Sequence, residues 1–156
     1  MQLPLKKLLE LFGEAAQLGE FGALRIDLLN VDVSRLIEAA AWLRMEESFR
    51  MDFLENASVF EKDGKLLFTY FIRSFSKPHR LVLRSSVPAP VGNEWVDFPS
   101  LVRIWPQAEA FESEMEILFG VRFADRPPNR QHLKNFGKFD GFPLRKSFEW
   151  GEGVDL

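Results

Sequence analysis

Four glutamates crowd one short stretch of this 156-residue chain: Glu109, Glu112, Glu114 and Glu116. On a helix, residues three and four apart share a face, so Glu109, Glu112 and Glu116 line up. Nearby carboxylates can do acid–base work. An independent small hydrolase or binding protein using Glu112, Glu114 and His132 is therefore one reading, although carboxylates on a helix are more often surface charge. His79 and His132 are the two histidines, and neither stands at metal-ligand spacing from another His or a carboxylate. Each is read as a surface or loop residue rather than as a ligand or proton shuttle. The chain has no Cys. That removes disulfides, thiolate nucleophiles and Cys-ligated zinc or iron–sulfur clusters. No Gly-rich phosphate loop follows a strand, because Gly120, Gly137 and Gly141 are too dispersed. No Ser has the context of a nucleophile elbow.

Charge is segregated around the acidic stretch. Residues 122–146 carry Arg122, Arg126, Arg130, Lys134, Lys138, Arg145 and Lys146 against Asp125 and Asp140, a surplus of five positive charges. This segment also holds Phe136, Phe139, Phe142 and Leu144, followed by Phe148 and Trp150. A solvated helix face beside a loosely charged loop is the plain reading. The functional reading is a tail held by ion pairs to the acidic helix and to an acidic partner. Exposed pairs contribute only about 0–1 kcal/mol each, so charge would set register while the aromatic side chains supply affinity. Basic residues interleaved with aromatics can also serve single-stranded nucleic acid. The net charge of −3 and the lack of a visible basic stripe on any strand or helix speak against it.

Hydrophobic residues make up 46% and charged residues 28%, a balance that folds. Sixteen Phe stand against one Tyr, so a dense core or an adhesive surface is expected, without a way to divide them. The N-terminal stretch lacks the apolar run of a signal peptide, and no stretch approaches a membrane span. The chain is therefore expected to stay on the side of the membrane where it is made.

Helical spacing of Leu5, Leu8, Leu9, Phe12 and Ala16 after Pro4 predicts a first helix that stops at Gly19. From Leu24 the period becomes two, which reads as a half-buried strand. Asp32 or Ser34 can cap a second helix with Leu36, Ile37, Ala40 and Leu43 on one side. Strands follow at 49–60, with an interruption near Asn56, and at 65–73 and 80–86. Asp63-Gly64 marks a type I′ hairpin, because both central residues need positive φ. A short apolar run at 101–105 leads to a helix whose stripe is Ala108, Phe111, Met115 and Leu118, ended by Gly120. Beyond Phe123, Pro127, Pro128, Gly137, Gly141 and Pro143 predict an irregular tail. So rich in aromatics, it is expected to lie on a surface, its own domain's or a partner's. The predicted fold class is α+β in two layers: helices on one face of a mixed, mostly antiparallel sheet, with an extended C-terminal tail. The predicted division is a domain at 1–124, including a signature helix at 106–119, and a docking tail at 125–156. Removing residues from Asp125 onward is expected to spare the fold and abolish assembly.

Residues 99–146 carry a resemblance. Glu112-Ser113-Glu114-Met115-Glu116-Ile117-Leu118-Phe119-Gly120-Val121-Arg122-Phe123 resembles E-R-E-x-x-D-h-F-G-h-x-F, where h is hydrophobic, a signature of the C-type subunit of NADH-quinone oxidoreductase. That protein is the bacterial counterpart of the thirty-kilodalton subunit of mitochondrial complex I. Pro99-Ser100 and Trp105-Pro106-Gln107-Ala108 match the approach to that helix. Gly141-Phe142-Pro143-Leu144-Arg145-Lys146-Ser147 resembles the closing motif G-h/H-P-L-R-K-D. The departures are Ser113 for Arg, Ile117 for Asp and Ser147 for Asp. A weakened G-H-P-D-L-R-R stretch stands as Asp125-Arg126-Pro127-Pro128-Asn129-Arg130-Gln131.

The resemblance implies a non-catalytic subunit of the hydrophilic arm of a proton-translocating NADH:quinone oxidoreductase, in which electrons pass from NADH through iron–sulfur clusters to quinone. It implies no cofactor on this chain, with FMN and the clusters on partner subunits. The implied partner is the D-type (forty-nine-kilodalton) subunit, reached through the irregular tail. The location implied is peripheral, on the cytoplasmic face of the cell membrane or the matrix side in a mitochondrion. The family positions expected to form the motif and partner interface are Glu112, Glu114, Phe119, Gly120, Phe123, Pro127, Arg130, Gly141, Pro143, Leu144, Arg145 and Lys146. A membrane-bound hydrogenase or formate hydrogenlyase sharing this module is the alternative parent.

Overall fold

The structure, a computed structural model, describes residues 5–126 and 141–150. It opens with α1 (Leu5–Phe12), which buries Leu8 and Phe12. The helix does not run on to Gly19. Gly13 takes φ +51°, a conformation glycine reaches without a Cβ penalty, and a tight turn follows at Gly13–Ala15. The chain then forms a strand the periodicity did not announce, β1 (Ala16–Phe21). Its partner is β2 (Ile26–Val31), antiparallel, with Ala16 opposite Val31 and Phe21 opposite Ile26. The Asp32 carboxylate accepts from the backbone N–H of Ser34 at 2.9 Å and heads the turn into α2 (Leu36–Met45). Leu36, Ala39, Ala40 and Leu43 are the buried stripe of α2. Ile37, expected among them, is 49% exposed, and Ala39 takes a place in the stripe instead.

Three long strands follow: β3 (Phe53–Lys62), β4 (Lys65–Arg73) and β5 (Arg80–Pro88). The expected interruption in the first is a register shift between Leu54 and Asn56. Asp63 and Gly64 take φ of +51° and +71°, as the hairpin signal requires. The sheet order is β1-β2-β5-β4-β3, with β2 and β5 parallel and every other neighbour antiparallel. This is the mixed, mostly antiparallel sheet of an α+β fold.

The apolar run at 101–105 is a turn: the Trp105 N–H reaches the Leu101 carbonyl at 2.8 Å. The Trp105 indole N–H donates to the Met51 carbonyl at 2.8 Å, tying this turn to the approach to β3. Two four-residue strands, β6 (Val96–Pro99) and β7 (Val121–Ala124), flank α3 (Ala108–Phe119) and pair in parallel. The sequence reading missed both, since four residues give too few repeats to show a period.

One core joins Leu8 and Phe12 of α1, Leu36 and Leu43 of α2, and Met115 and Phe119 of α3 to a single face of the large sheet. Phe68 of β4 stacks on Phe98 of β6 with ring centres 3.6 Å apart, so the two sheets share that core. Leu28 and Val82 lie on the opposite face and are buried, yet stand outside this core. Residues 141–148 rest on the same domain. The Leu144 N–H bonds the Leu118 carbonyl at 3.1 Å, and the Lys146 N–H bonds the Glu61 carboxylate at 2.9 Å.

Candidate functional site

Along α3, residues 112 and 116 are one helical turn apart and both face inward. The Glu112 carboxylate accepts from the Leu101 N–H and from the Ser100 hydroxyl, each at 2.8 Å. Arg126, just past β7, comes down on the same face. Its Nη2 lies 2.6 Å from Glu116 Oε1, and its Nε lies 3.5 Å from Glu112 Oε2. Those two nitrogens make charge contacts whose angles fall outside hydrogen-bond geometry. Its Nη1 donates to the Ser113 hydroxyl at 3.0 Å and to the Glu109 carbonyl at 3.3 Å. All three ionic side chains are at least nine-tenths buried, at 6%, 0% and 7% exposure for Arg126, Glu112 and Glu116.

The cluster holds two carboxylates against one guanidinium. Burial pushes the Glu112 carboxyl above its usual value, while the Leu101 N–H, the Ser100 hydroxyl and the Arg126 charge pull it back. The Tyr70 hydroxyl is buried and makes no hydrogen bond among the described residues. Its pKa is pushed well up by burial and then by the Glu112 charge.

A second knot secures the closing motif. Arg145 Nε donates to the Phe119 carbonyl at 2.6 Å, Nη2 to the Gly120 carbonyl at 3.3 Å, and Nη1 to the Gly92 carbonyl at 3.0 Å. The last carbonyls of a helix lack intrahelical donors, and Arg145 supplies them for α3. Gly120 ends the helix in the left-handed region, at φ +68° and ψ +46°. A Cβ there would overlap the Phe142 ring, which also meets Trp95 edge-on with centres 4.8 Å apart.

The structure therefore sorts the expected site residues. Glu112, Phe119, Gly120, Phe123, Pro143 and Arg145 are buried inside the chain, and Gly141 is half-buried. Glu114, Leu144 and Lys146 are exposed. Pro127 and Arg130 lie outside the described residues, as does His132. Glu112 and Glu114 point to opposite sides of the helix, one enclosed and one in solvent, so they do not form a shared acid–base pair. His79 sits in the turn before β5, its carbonyl accepting from the Ser74 N–H at 3.0 Å. Sequence reasoning expected a tail held to the acidic helix by ion pairs, and Arg126 makes them with Glu112 and Glu116; it missed that these carboxylates are enclosed and that Ser100 bonds Glu112. The available signal was the pair Glu112/Glu116 on the helix face that also holds the apolar Ala108 and Met115.

Two hollows lie away from the ion cluster. One of about 250 Å³ is lined by Glu14, Asn30, Asp32, Arg84 and Ser86 at the outer side of the sheet. The other, of about 150 Å³, runs between β3 and α3 past Ala57, Val59, Phe111, Glu114 and Leu144. Among the described residues no group of three or more His, Cys, Asp or Glu gathers as metal ligands would. Nor is any described helix long and apolar enough to cross a membrane. The chemistry of the enclosed cluster is that of a structural clamp: it fixes the segment after β7 against α3.

Residues 29–154 match the family described as "Respiratory-chain NADH dehydrogenase, 30 Kd subunit". Curated relatives, each named as the C-type subunit of NADH-quinone oxidoreductase, include one from Hyphomonas neptunium, 35% identical over 56% of this chain and 41% of the relative. Another, from Rhodopseudomonas palustris strain TIE-1, is 32% identical over 77% of this chain and 57% of the relative. A third, from Ruegeria pomeroyi, is 33% identical over 77% of this chain and 60% of the relative. The chain thus spans about half the length of the curated relatives it matches. Among solved structures, a chain of the membrane-bound sulfane sulfur reductase, an archaeal respiratory membrane complex, shares the fold. Its TM-score is 0.57 at 15% identity, over 79% of this chain and 69% of that one.

Proposed function

The chain belongs to the family of the 30-kilodalton subunit of respiratory-chain NADH dehydrogenase, and on that premise we propose that it serves as a cofactor-free structural subunit of a complex I-type assembly. It docks on the D-type subunit in the hydrophilic arm, peripheral to the membrane on the cytoplasmic or matrix side. FMN and iron–sulfur clusters belong to its neighbours. Its contribution is positional: a rigid body keeps adjoining subunits, and so their cofactors, at fixed separations.

One observation supports this reading most directly. The signature acid of α3, Glu112, and the closing arginine, Arg145, are both spent on internal bonds. Residues so used build a stiff shape and are closed to substrate. That is what a positioning subunit needs.

A tagged pull-down from solubilised membranes, with identification of co-purifying chains, tests the proposal. Recovery with a D-type subunit and with flavin- and NADH-binding subunits is expected. Recovery of the chain alone sinks it. The alternative parent is a membrane-bound hydrogenase or formate hydrogenlyase. Nickel-hydrogenase subunits in the same eluate would favour it.

A further inference from the structure

The large sheet has a face that none of the described helices covers, and it is neither polar nor neutral. Successive residues of a strand alternate between faces, so the core-side set Leu66, Phe68, Tyr70 and Ile72 leaves Lys65, Leu67, Thr69, Phe71 and Arg73 on the outside. The register carries that assignment to Val82 and Arg84 on β5, Phe60 and Lys62 on β3, and Leu28 and Phe21 on β2 and β1. A sheet face left to water is normally polar. This one carries Phe21 packed edge-on against Phe71 at 5.3 Å, with Phe60 38% exposed.

Its charge is equally distinct. The whole chain has a net charge of −3. This face carries Lys62, Lys65, Arg73, Arg80 and Arg84, a basic set that no single strand reveals because it is dispersed over three. The carboxylate of Glu55 is shared by Arg73 and Arg80, at 3.2 Å from each. Arg84 sits at the centre. Its Nε donates to the Thr69 hydroxyl at 3.2 Å, and its guanidinium lies 5.2 Å from the Phe21 ring and 5.8 Å from the Phe60 ring. No described carboxylate forms an ion pair with it. Glu14 and Asp32 line the adjoining hollow, and Asp32 is committed to Ser34. Burial also pulls the Arg84 pKa below its usual value, the mark of a charge that lacks compensation.

We infer that this aromatic, basic face is a docking surface for a neighbouring subunit, which lays an apolar patch on the phenylalanines and presents a carboxylate to Arg84. The inference rests on the subunit reading above and adds the face and its chemistry. Charge complementarity selects the occupant. Residues 127–140 of this chain carry Arg130, Lys134 and Lys138 against Asp140, a net charge of the same sign as the face, which disfavours them as its cover. Residues 151–156 are acidic but offer only Val154 and Leu156 as large apolar side chains, too little to cover so many rings. An Arg held between aromatic rings and a carboxylate is the kind of contact that dominates interface energy once water is excluded.

The test uses the full chain in the solubilised assembly. Arg84→Glu and Phe60→Asp are each compared with wild type and with Ile37→Asp, a change of the same kind on α2. Far-UV circular dichroism and urea midpoints check that each variant is folded. Recovery of the D-type subunit is expected to fall about tenfold or more for Arg84→Glu and Phe60→Asp, and to hold for Ile37→Asp. In hydroxyl-radical footprinting, Phe21 and Phe60 are expected to oxidise in the isolated chain and to be protected in the assembly. Unchanged recovery with folded Phe60→Asp overturns the inference while leaving the subunit reading intact. Protection already present in the isolated chain overturns it in favour of a covering by the chain's own residues. Retention of a single-stranded oligonucleotide that depends on Arg84 overturns it in favour of nucleic acid. Recovery of wild type alone, by contrast, brings down the subunit reading itself.

Discussion

Arg145 Nε stands 2.6 Å from the carbonyl oxygen of Phe119, twenty-six residues earlier in the chain. The bond turns the closing motif into the C-terminal cap of the signature helix. Replacing Arg145 with Ala leaves three carbonyl oxygens, on Phe119, Gly120 and Gly92, without this donor. The expected loss is about 2–4 kcal/mol of unfolding free energy, read as a lower urea midpoint. Lys keeps the charge but lacks the planar fork, so Arg145→Lys should recover less than half of it.

Gly120 faces the Phe142 ring with no room for a Cβ and holds a positive φ. Gly120→Ala therefore meets two costs, steric overlap and left-handed backbone, with a combined loss expected above about 2 kcal/mol. The pair Gly120→Ala with Phe142→Ala should be less destabilised than the sum of the single changes. Strict additivity in the double-mutant cycle would show that the ring and the glycine do not meet.

Arg126→Ala strands Glu112 and Glu116 in the interior. Leaving a buried ionic partner uncompensated costs about 3–5 kcal/mol, so this variant should be less stable than point changes at the exposed positions of α3 and β7. Adding Glu116→Gln to it should restore part of the loss. Thermal unfolding of wild type, the single variant and the double variant would reveal this order.

The Glu112 carboxyl is raised from a reference value of 4.5. A raised acid binds more protons folded than unfolded, so its contribution is complete below the unfolded pKa and falls as pH climbs through the folded one. Stability should therefore decline from pH 4.5 upward over the range in which Glu112 ionises. Glu112→Gln should flatten that part of the profile; its single amide oxygen still accepts from the Leu101 N–H, while the Ser100 hydroxyl must turn to accept from the amide NH2. Urea midpoints measured across that range would show it, and a profile unchanged by the substitution would count against the assignment.

Truncation before residue 125 removes Arg126, Phe142 and Arg145 together, and with them the clamp on both ends of α3. The sequence alone suggested that such a truncation spares the fold. The packing reverses that expectation: the shortened chain should lose cooperative unfolding or fail to fold. A sharp urea transition in the truncated protein would restore the simpler view.

Local signals were read well where a few residues decide the outcome. Asp63 and Gly64 make their turn because both tolerate positive φ, and β3, β4 and β5 follow from it. Val82, on the opposite face of β5 from Leu81 and Leu83, is as enclosed as they are, which the residue types alone did not indicate. The helix stripe Ala108, Met115 and the stop at Gly120 were legible, whereas the enclosure of Glu112 was not. A charged residue reads as surface until the segment that covers it is in place.

The amino-acid order determined by itself the hairpin, the α+β class, the exclusion of thiolate and Cys-ligated metal chemistry, and the motifs that place the chain in its family. Each depends on residue identity or on preferences acting across a few neighbouring positions. Tertiary structure alone decided that Glu112 and Glu116 turn inward to Arg126, that Arg145 caps a distant helix, and that dispersed basic and aromatic residues share one sheet face. Those outcomes join positions ten or more residues apart, and charge and apolar surface take their energetic meaning from whether other parts of the chain exclude water around them.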